Sequence, residues 1–405
     1  MTCEVAIVGV GKTSFGRHDD STGLQLGVEA ARAALEDAGL QWSDVQVAVG
    51  GSMSAGNADA SVSALGLTGL PFINVFNGCA TGGSALTTAS AMITSGVADV
   101  ALAVGFDKHP RGAFDLDPQD WGLGQWYGQS GLMVAPQYFA MKIRRYMHDH
   151  DITERPLALV AAKAFRNGSL TPTAWRCTAM SVDVVASSPM VCPPLTQFMF
   201  CAPGAGAAAV VLASREKAKT ITGNPIWLRS VALRTRQFGA FTVFSPSLPV
   251  QPGVETTTDA ARAAFTQAGI GPEDVQTAQI QDTEAGAEII HLAEAGLCEH
   301  GEQERLLPDG ETDIGGRLPV NTDGGCIANG EPVGASGLRQ VHEITLQLRG
   351  DAGPRQVPGH AAGSLPRARR RMGRPIGQRP RNVCDRDRCR NDLSGLQTCA
   401  IHCFQ

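Results

Sequence analysis

The chain has 405 residues, 43% of them hydrophobic and only 5% aromatic, enough for two ordinary domains or one large duplicated α/β unit. Its net charge of −5 gives no reason to expect nucleic acid or an anionic membrane as a partner. No secretory signal precedes the first apolar pattern, and the longest apolar stretch, near residues 98–106, is too short to span a bilayer. We therefore expect a cytoplasmic protein whose 11 Cys are reduced thiols.

Predicted strands and helices follow one another along the chain. Residues 5–10 predict a buried opening strand, and residues 97–105 and 207–213 are apolar runs typical of strands covered by helices on both faces.

An internal repeat links distant parts of the chain. AARAALEDAGLQWSDVQVA at residues 30–48 aligns without a gap with AARAAFTQAGIGPEDVQTA at residues 260–278.

Each copy of the repeat predicts a helix that ends at a glycine, Gly39 or Gly269. An acidic turn follows, and then a strand at residues 45–49 or 277–281. Helix followed by strand at matched positions indicates two homologous halves with parallel sheets. Chance similarity between alanine-rich helices is the alternative, and the match through the turn into the strand argues against it.

The remaining chain divides around these halves. Residues 108–197 loosen into Pro, Gly, Trp and Met, which predicts a partly helical insertion lying over a site. We predict an N-terminal half over residues 1–225, which contains this insertion, and an incomplete C-terminal half over residues 226–359. Residues 360–405 contain ten Arg and no Lys and form an atypical tail.

Three explanations of the tail stay open: a disordered basic segment, an altered reading frame, or a metal knuckle. Its four Cys are Cys384, Cys389, Cys399 and Cys403. Their spacing lacks the paired short knuckles of zinc sites, so we predict no metal site. Five histidines are expected to be isolated on loops or helices: His109, His148, His150, His291 and His342.

The segment most informative about chemistry is FNGCATGGSAL at residues 76–86. A short strand at residues 72–75 enters a glycine turn, and a helix of small residues follows to about Ser95. Cys79 thus sits at the amino end of a buried helix, where the partial positive charge stabilises an anion by roughly 0.3–1 kcal/mol. Because the thiolate is the nucleophilic form, Cys79 is a candidate nucleophile, and Gly78 a candidate oxyanion-binding residue. A buried structural Cys is the alternative.

Three segments resemble the thiolase superfamily, especially its sterol-carrier and lipid-transfer branch, which is acetyl-CoA acetyltransferase-like. They are INVFNGCATGGSALTTASAMITSG, the opening VAIVGVGKTSFGR, and NTDGGCIANGEPVGASGLRQVHEITLQLRG at residues 321–350. The resemblance covers roughly residues 4–359. It implies a duplicated five-layer α/β/α/β/α fold, usually dimeric, without a permanently bound cofactor. It also implies that a coenzyme A thioester is the substrate and that Cys79 carries the acyl group.

The chain departs from the family at three places. Gly330-Glu331-Pro332 stands where condensing members have Gly-His-Pro, so Glu331 is either an acid/base candidate or a mark of lost activity. Residues 281–284 stand at a catalytic segment of the branch, which makes Asp282 a further acid/base candidate. Gln281 and Gly325 are candidate substrate-binding residues. The family's last catalytic segment, which supplies a second Cys, is not found, because the chain diverges after Gly359.

The resemblance implies a thiolase-like acyltransferase acting on acyl-CoA or steroid-CoA thioesters in lipid metabolism, as a homodimer. Two alternatives stay open. One is a retro-aldol lyase of the lipid-transfer type that works with a small CoA-binding partner. The other is a catalytically impaired protein that keeps the thiolase fold as a scaffold.

Overall fold

The computed structural model of the chain describes residues 4–110, 117–121, 124–130, 135–235 and 254–359. The predicted tail and its four Cys lie outside these residues. The strands are β1 (Val5–Lys12), β2 (Val47–Gly51), β3 (Phe72–Asn74), β4 (Val100–Lys108), β5 (Met190–Cys192), β6 (Leu195–Thr196), β7 (Ala205–Ser214) and β8 (Ile226–Leu228).

Helices lie on both sides of these strands and fill most of the second half. They are α1 (Gly23–Ala38), α2 (Ser61–Leu65), α3 (Thr81–Thr94), α4 (Trp126–Gln129), α5 (Ala135–Asp149), α6 (Arg155–Gly168), α7 (Val182–Ala186), α8 (Arg215–Ile221), α9 (Thr256–Ala268), α10 (Ala285–Glu294), α11 (Gln303–Leu306), α12 (Gly325–Asn329) and α13 (Ser336–Arg349).

Six strands form one mixed sheet in the order β3-β2-β4-β7-β1-β8. β2 is parallel to β3 and β4, whereas β7 is antiparallel to β4 and β1. The prediction of a parallel sheet is therefore wrong. The long insertion between β4 and β7 is the reason. Lys108, at the end of β4, pairs with Ala205, at the start of β7. The chain therefore leaves the sheet and returns to it at the same edge, which makes β7 antiparallel to β4.

Both faces of this sheet are buried, because successive side chains of each strand enter different apolar clusters. On one face Val5 and Ile7 pack with α3 and α13, and on the other Ala6 and Val8 pack with α1. The approach of α3 to the second half is close: a Cβ on Gly82 would lie 2.9 Å from the backbone N of Leu338. This confirms that the small-residue helix after Cys79 is buried.

The repeat is confirmed in its helix and its turn. α1 ends at Gly39 with φ +66°, and α9 ends at Gly269 with φ +71°, the left-handed conformation that a glycine adopts at low cost. In each copy an aspartate closes the next turn: Asp44 accepts from the N–H of Gln41 (2.8 Å), and Asp274 from the N–H of Gly271 (2.9 Å).

The strand predicted at residues 277–281 is an extended segment with a single parallel bridge, from Ala278 to Val320. The side chain of Asn321 accepts from the N–H of Ile280 (2.9 Å) where a second strand residue would pair. Within the described residues, the second half has no ladder of paired strands. β8 also lies beyond the predicted boundary at residue 226, yet it pairs with β1 in the first sheet.

The insertion at residues 108–197 contains helices, as predicted, and it contributes to the core as well as to the surface. Phe165 and Leu157 of α6 are fully buried, and they belong to an apolar cluster with Ile289 of α10 and Ile327 of α12. The insertion therefore joins the two halves.

Among the described residues, no helix is long and apolar enough to cross a membrane.

Candidate active site

Segments from both halves meet at one edge of the six-stranded sheet. Because β1, β2, β3 and β4 run in the same direction, their carboxyl ends share this edge, and β7 begins there. Cys79 follows β3, Asp107 lies near the end of β4, and Cys201 precedes β7. Glu331 of the second half reaches the same edge, since the N–H of Gly334 donates to Oδ2 of Asp107 (2.7 Å).

Cys79 lies in a glycine turn two residues before α3, as predicted, and it is partly exposed to solvent. Gly78 has φ +55°, and a Cβ at this position would meet no atom within 4 Å, so the turn faces open space. Thr81 fixes the turn: its hydroxyl donates to the carbonyl of Gly78 (2.7 Å) and accepts from the N–H of Asn77 (2.9 Å). The turn that carries Cys79 is therefore partly exposed and lies at the junction of the two halves, beside Glu331.

The electrostatic surroundings of Cys79 differ from the expectation based on the helix end. Burial raises the pKa of the Cys79 thiol well above its ordinary value, and the charge and side-chain hydrogen bond of Glu331 raise it further. Cys326 and Asp107 act in the same direction. The effect of a helix end, about 0.3–1 kcal/mol, is too small to reverse these contributions. Cys79 is consequently a thiol at rest and not a preformed thiolate.

Glu331 is fully buried and held through both carboxylate oxygens. Its Oε1 accepts from Nε2 of Gln281 (2.6 Å), and its Oε2 accepts from the thiol of Cys201 (3.1 Å). Its backbone N–H donates to the carbonyl of Ala202 (2.9 Å), and Gly330, with φ +87°, turns the chain into this position. A carboxylate therefore contacts the thiol of Cys79 and two further side chains.

Gln281 lies in the site, but its amide group serves Glu331. Its Nε2 donates to Glu331, and its Oε1 accepts from Nε2 of Gln340 (3.0 Å). The side chain is buried between these partners. Direct binding of a substrate by Gln281 stays a prediction, and the geometry adds a role in holding Glu331.

Asp282 and Gly325 have structural surroundings that differ from the predicted roles. Oδ1 of Asp282 accepts from the N–H of Cys326 (2.6 Å), and Oδ2 accepts from the N–H of Ile327 (3.3 Å), so this carboxylate caps α12. Burial raises the pKa of Asp282 well above its ordinary value. The N–H of Gly325 is engaged by Asp323 (3.0 Å) and is buried. The geometry therefore gives Asp282 a capping role and Gly325 a packing role.

Asp107 is a residue of this site that the sequence analysis missed. It is fully buried, and its Oδ1 accepts from the hydroxyl of Ser52 (2.9 Å) and from the N–H groups of Met53 and Ser54 (both 2.8 Å). Its Oδ2 binds Gly334, so one carboxylate joins the loop after β2 to the segment after Glu331. A charged residue ending an apolar strand run was the signal that could have found it.

His109, expected to be isolated, also belongs to the site. Its Nε2 accepts from the N–H of Val333 (3.2 Å), its Nδ1 lies 3.2 Å from the hydroxyl of Ser54, and Asp107 is 3.7 Å away. Burial lowers the pKa of His109, and an imidazole nitrogen that accepts a hydrogen bond must be unprotonated. His109 therefore acts here as a neutral acceptor that helps to hold the Glu331 segment.

Behind Glu331, a buried network of charged groups braces residues 321–331. Arg339 is fully buried and donates to Asp323 (2.5 Å) and to Oε1 of Gln279 (3.0 Å). Lys12 donates to Oδ1 of Asn329 (2.6 Å), and burial lowers the pKa of Lys12 to about 7.

Within the described ranges, no group of three or more His, Cys, Asp or Glu side chains could hold a metal ion.

The sequence matches two family descriptions in order along the chain. Residues 5–176 match "Thiolase, N-terminal domain", and residues 250–366 match "Thiolase C-terminal domain-like". The chain is 33% identical to an acetyl-CoA acetyltransferase of Methanothermobacter thermautotrophicus over 89% of its own length and 94% of that protein. The chain belongs to the thiolase family.

Other thiolase-family relatives belong to the branch that the sequence indicated. The chain is 32% identical to sterol carrier protein 2 of Bos taurus, over 88% of its own length and 68% of that protein. A chain of the Ltp2-ChsH2(DUF35) aldolase superposes with a TM-score of 0.77 at 26% identity, over 89% of this chain and 93% of that one. An acetyl-CoA acetyltransferase from Syntrophomonas wolfei superposes with a TM-score of 0.63 at 18% identity, covering 86% and 93%, and confirms the α/β thiolase fold.

Proposed function

We propose that this thiolase-family protein transfers acyl groups of acyl-CoA or steroid-CoA thioesters through Cys79, with Glu331 as the acceptor of the thiol proton. The observation that carries the proposal is the contact between the Cys79 thiol and the buried carboxylate of Glu331. A thiol with a raised pKa is a poor nucleophile until a base removes its proton. Glu331 is the base in contact with it, in the position where condensing family members carry His.

In the proposed reaction, the sulfur of Cys79 forms a bond to the thioester carbonyl carbon while its proton passes to Glu331. Collapse of the tetrahedral intermediate breaks the bond between carbon and the coenzyme A sulfur. The proton then moves from Glu331 to that sulfur, which leaves as the free thiol. Cys79 is left as an S-acyl cysteine, and Gly78, whose turn faces open space, is the proposed binding place for the thioester oxygen.

Alkylation of the purified protein at neutral pH tests this proposal. We expect iodoacetamide to modify Cys79 and an acyl-CoA to slow that modification, as read by peptide mass spectrometry. Incubation with the acyl-CoA should also add the acyl mass to the Cys79 peptide. The exposed Cys177 is an internal control, because its alkylation should not respond to acyl-CoA. An inert Cys79 would instead support the scaffold alternative.

A second candidate function is retro-aldol cleavage of a β-hydroxyacyl-CoA thioester together with a small CoA-binding partner. The superposition on the Ltp2-ChsH2(DUF35) aldolase chain, at a TM-score of 0.77, favours this candidate. Cleavage between the α and β carbons needs no acyl-enzyme. Cys79→Ser should therefore abolish acyl transfer but leave carbonyl release from a β-hydroxyacyl-CoA intact, if the protein is an aldolase.

We also infer a homodimer in the cytoplasm, as the sequence suggests. β3 lies at the edge of the six-stranded sheet, so its outer backbone groups have no neighbouring strand within the described part of the chain. Two apolar side chains flank it: Leu67 is 86% exposed, and Phe76 is 58% exposed. Sedimentation of the protein and of Phe76→Glu tests this arrangement, because a charge at a β3 interface should favour the monomer.

A further inference from the structure

Cys201 is a second thiol hydrogen-bonded to Glu331, beside Cys79. It lies just before β7, it is 6% exposed, and its backbone N–H donates to the carbonyl of Thr283 (2.9 Å). Its Sγ donates to Oε2 of Glu331 (3.1 Å). The reaction proposed above uses Cys79 and Glu331 and gives Cys201 no part.

The two oxygens of Glu331 have donors of unequal strength. Oε1 accepts from the amide of Gln281 at 2.6 Å, and Gln281 is itself held by Gln340. Oε2 accepts from a thiol, which is a weak donor. A weak donor orients a carboxylate oxygen and releases it at low cost when that oxygen takes up a proton.

We propose that Cys201 is a positioning residue that fixes Oε2 of Glu331 and sets its basicity toward the Cys79 thiol. This inference rests on the proposed function, because it assigns Glu331 the proton of Cys79. Cys201 keeps its own proton throughout: the proton that moves leaves Cys79, resides on Glu331, and ends on the departing sulfur. A hydrogen bond to the charged form of a carboxylate lowers its pKa.

Other ionisable side chains also lie near Glu331 and Cys201. His109 and Cys326 face Glu331 in addition to Cys79. Arg176 faces Cys201, with its guanidinium on the carbonyl oxygens of Phe200 (2.8 Å) and Ile327 (3.1 Å). Burial and the charge of Glu331 raise the pKa of Cys201 well above its ordinary value, so its S–H donor persists across the neutral range.

Two substitutions of Cys201 change the donor in opposite directions. Cys201→Ala removes it, and Cys201→Ser replaces it with a stronger hydroxyl donor. The measurement is the rate of Cys79 alkylation by iodoacetamide as a function of pH in the full chain. We expect the lower-pH midpoint of this rate profile to rise by about half a unit to one unit in Cys201→Ala, because the carboxylate loses a hydrogen-bond donor to its charged form. It should stay in place or fall in Cys201→Ser, and Glu331→Gln should abolish that limb.

Several controls separate this idea from simple packing. Cys177→Ala and Cys177→Ser alter an exposed thiol and should leave the midpoint unchanged. If Cys201→Ala does not fold, Cys201→Val fills the space without a donor and carries the same expectation. A midpoint that does not rise in the donor-less variant, or that rises equally in Cys201→Ser, overturns the inference. If the unmodified protein shows no alkylation of Cys79, it is the proposed function that fails.

Discussion

The two halves of the chain reach the site by different means. In the first half, paired strands and apolar side chains place Cys79, and residues such as Ala85, Leu86 and Val210 are fully buried without any polar partner. In the second half, the described segment that carries Glu331 has no strand ladder and is held by buried polar groups. The comparison teaches that apolar burial places the strand and helix on either side of Cys79, with short local hydrogen bonds from Thr81 in the turn between them. Fixing the buried carboxylate of Glu331 takes hydrogen bonds from segments distant in the chain.

Buried polar contacts also occur away from Glu331, as Lys163 and Glu288 show. They form a fully buried ion pair between α6 and α10, with Thr312 3.1 Å from Nζ of Lys163 and Asn321 2.8 Å from Glu288. Glu343 likewise accepts from Arg355 (2.9 Å) and Thr322 (2.8 Å). Such groups are costly to bury unless every charge is paired, so each pair depends on the next.

The largest effect that would sharpen this comparison is expected at Arg339. Arg339→Met leaves the buried carboxylate of Asp323 without its partner, which should lower the free energy of unfolding by about 3–5 kcal/mol. Arg305→Met is the matched control, because Arg305 pairs with three acidic groups at the surface, where water screens the charges, and its loss of stability should be far smaller. Urea unfolding measures both. Equal losses in the free energy of unfolding would show that the buried network stabilises the fold no more than the surface ion pairs do.

A second prediction concerns pH and the second half alone. Burial raises the pKa of Glu284, the N-cap of α10, to about 8 from an ordinary value of 4.5. Between these values the unfolded chain loses the proton and the folded chain keeps it, so stability falls as pH rises from about 4.5 to 8.

Glu284→Gln keeps the capping oxygen and removes the titration. The stability difference between pH 5 and pH 8 should therefore shrink by about 3 kcal/mol relative to the unmodified protein, as measured by urea unfolding at the two pH values. Glu273→Gln, at an exposed position of the same half, should leave the difference unchanged. An unaltered difference in Glu284→Gln would mean that this carboxyl group is ionised in the folded protein.

The sequence predicts the first half well because its signals are local. The apolar runs that became β1, β4 and β7 occur where periodicity placed them, and Gly39 and Gly269 end their helices as expected. The position of Cys79 follows from a strand, a glycine turn and a small-residue helix that are contiguous in the chain. The antiparallel direction of β7 could not be read locally, since it depends on where a long insertion re-enters the sheet.

The site as a whole could not be assembled from local signals, because its contacts join distant positions. Asp107 binds the N–H of Gly334 across 227 residues, and Cys201 binds Glu331 across 130. The raised pKa of Cys79 was missed for the same reason: the helix end is visible in the sequence, but the burial of the thiol and the neighbouring carboxylate of Glu331 arise only when distant segments pack together. Periodicity likewise predicts a strand at residues 277–281 without showing whether neighbours exist to pair with it.

The smallest expected effect contrasts two glycines with nearly the same backbone conformation, one in each half. Gly39 has φ +66° and Gly325 has φ +60°, so a side chain is strained at both. A Cβ at Gly39 would meet nothing within 4 Å, whereas a Cβ at Gly325 would lie 2.1 Å from Oδ2 of Asp282. Gly39→Ala should therefore cost about 1 kcal/mol, from backbone strain alone.

Gly325→Ala adds a clash with the carboxylate that caps α12, and it should cost about 1–3 kcal/mol more than Gly39→Ala in urea unfolding. It should also slow Cys79 alkylation, because moving Asp282 displaces the helix that leads into Glu331. Adding Asp282→Ala to Gly325→Ala removes the clash and the cap together, so the two changes should be far from additive. Additive losses would show that Gly325 and Asp282 act independently, and that close packing of the second half against this carboxylate does not hold Glu331 in place.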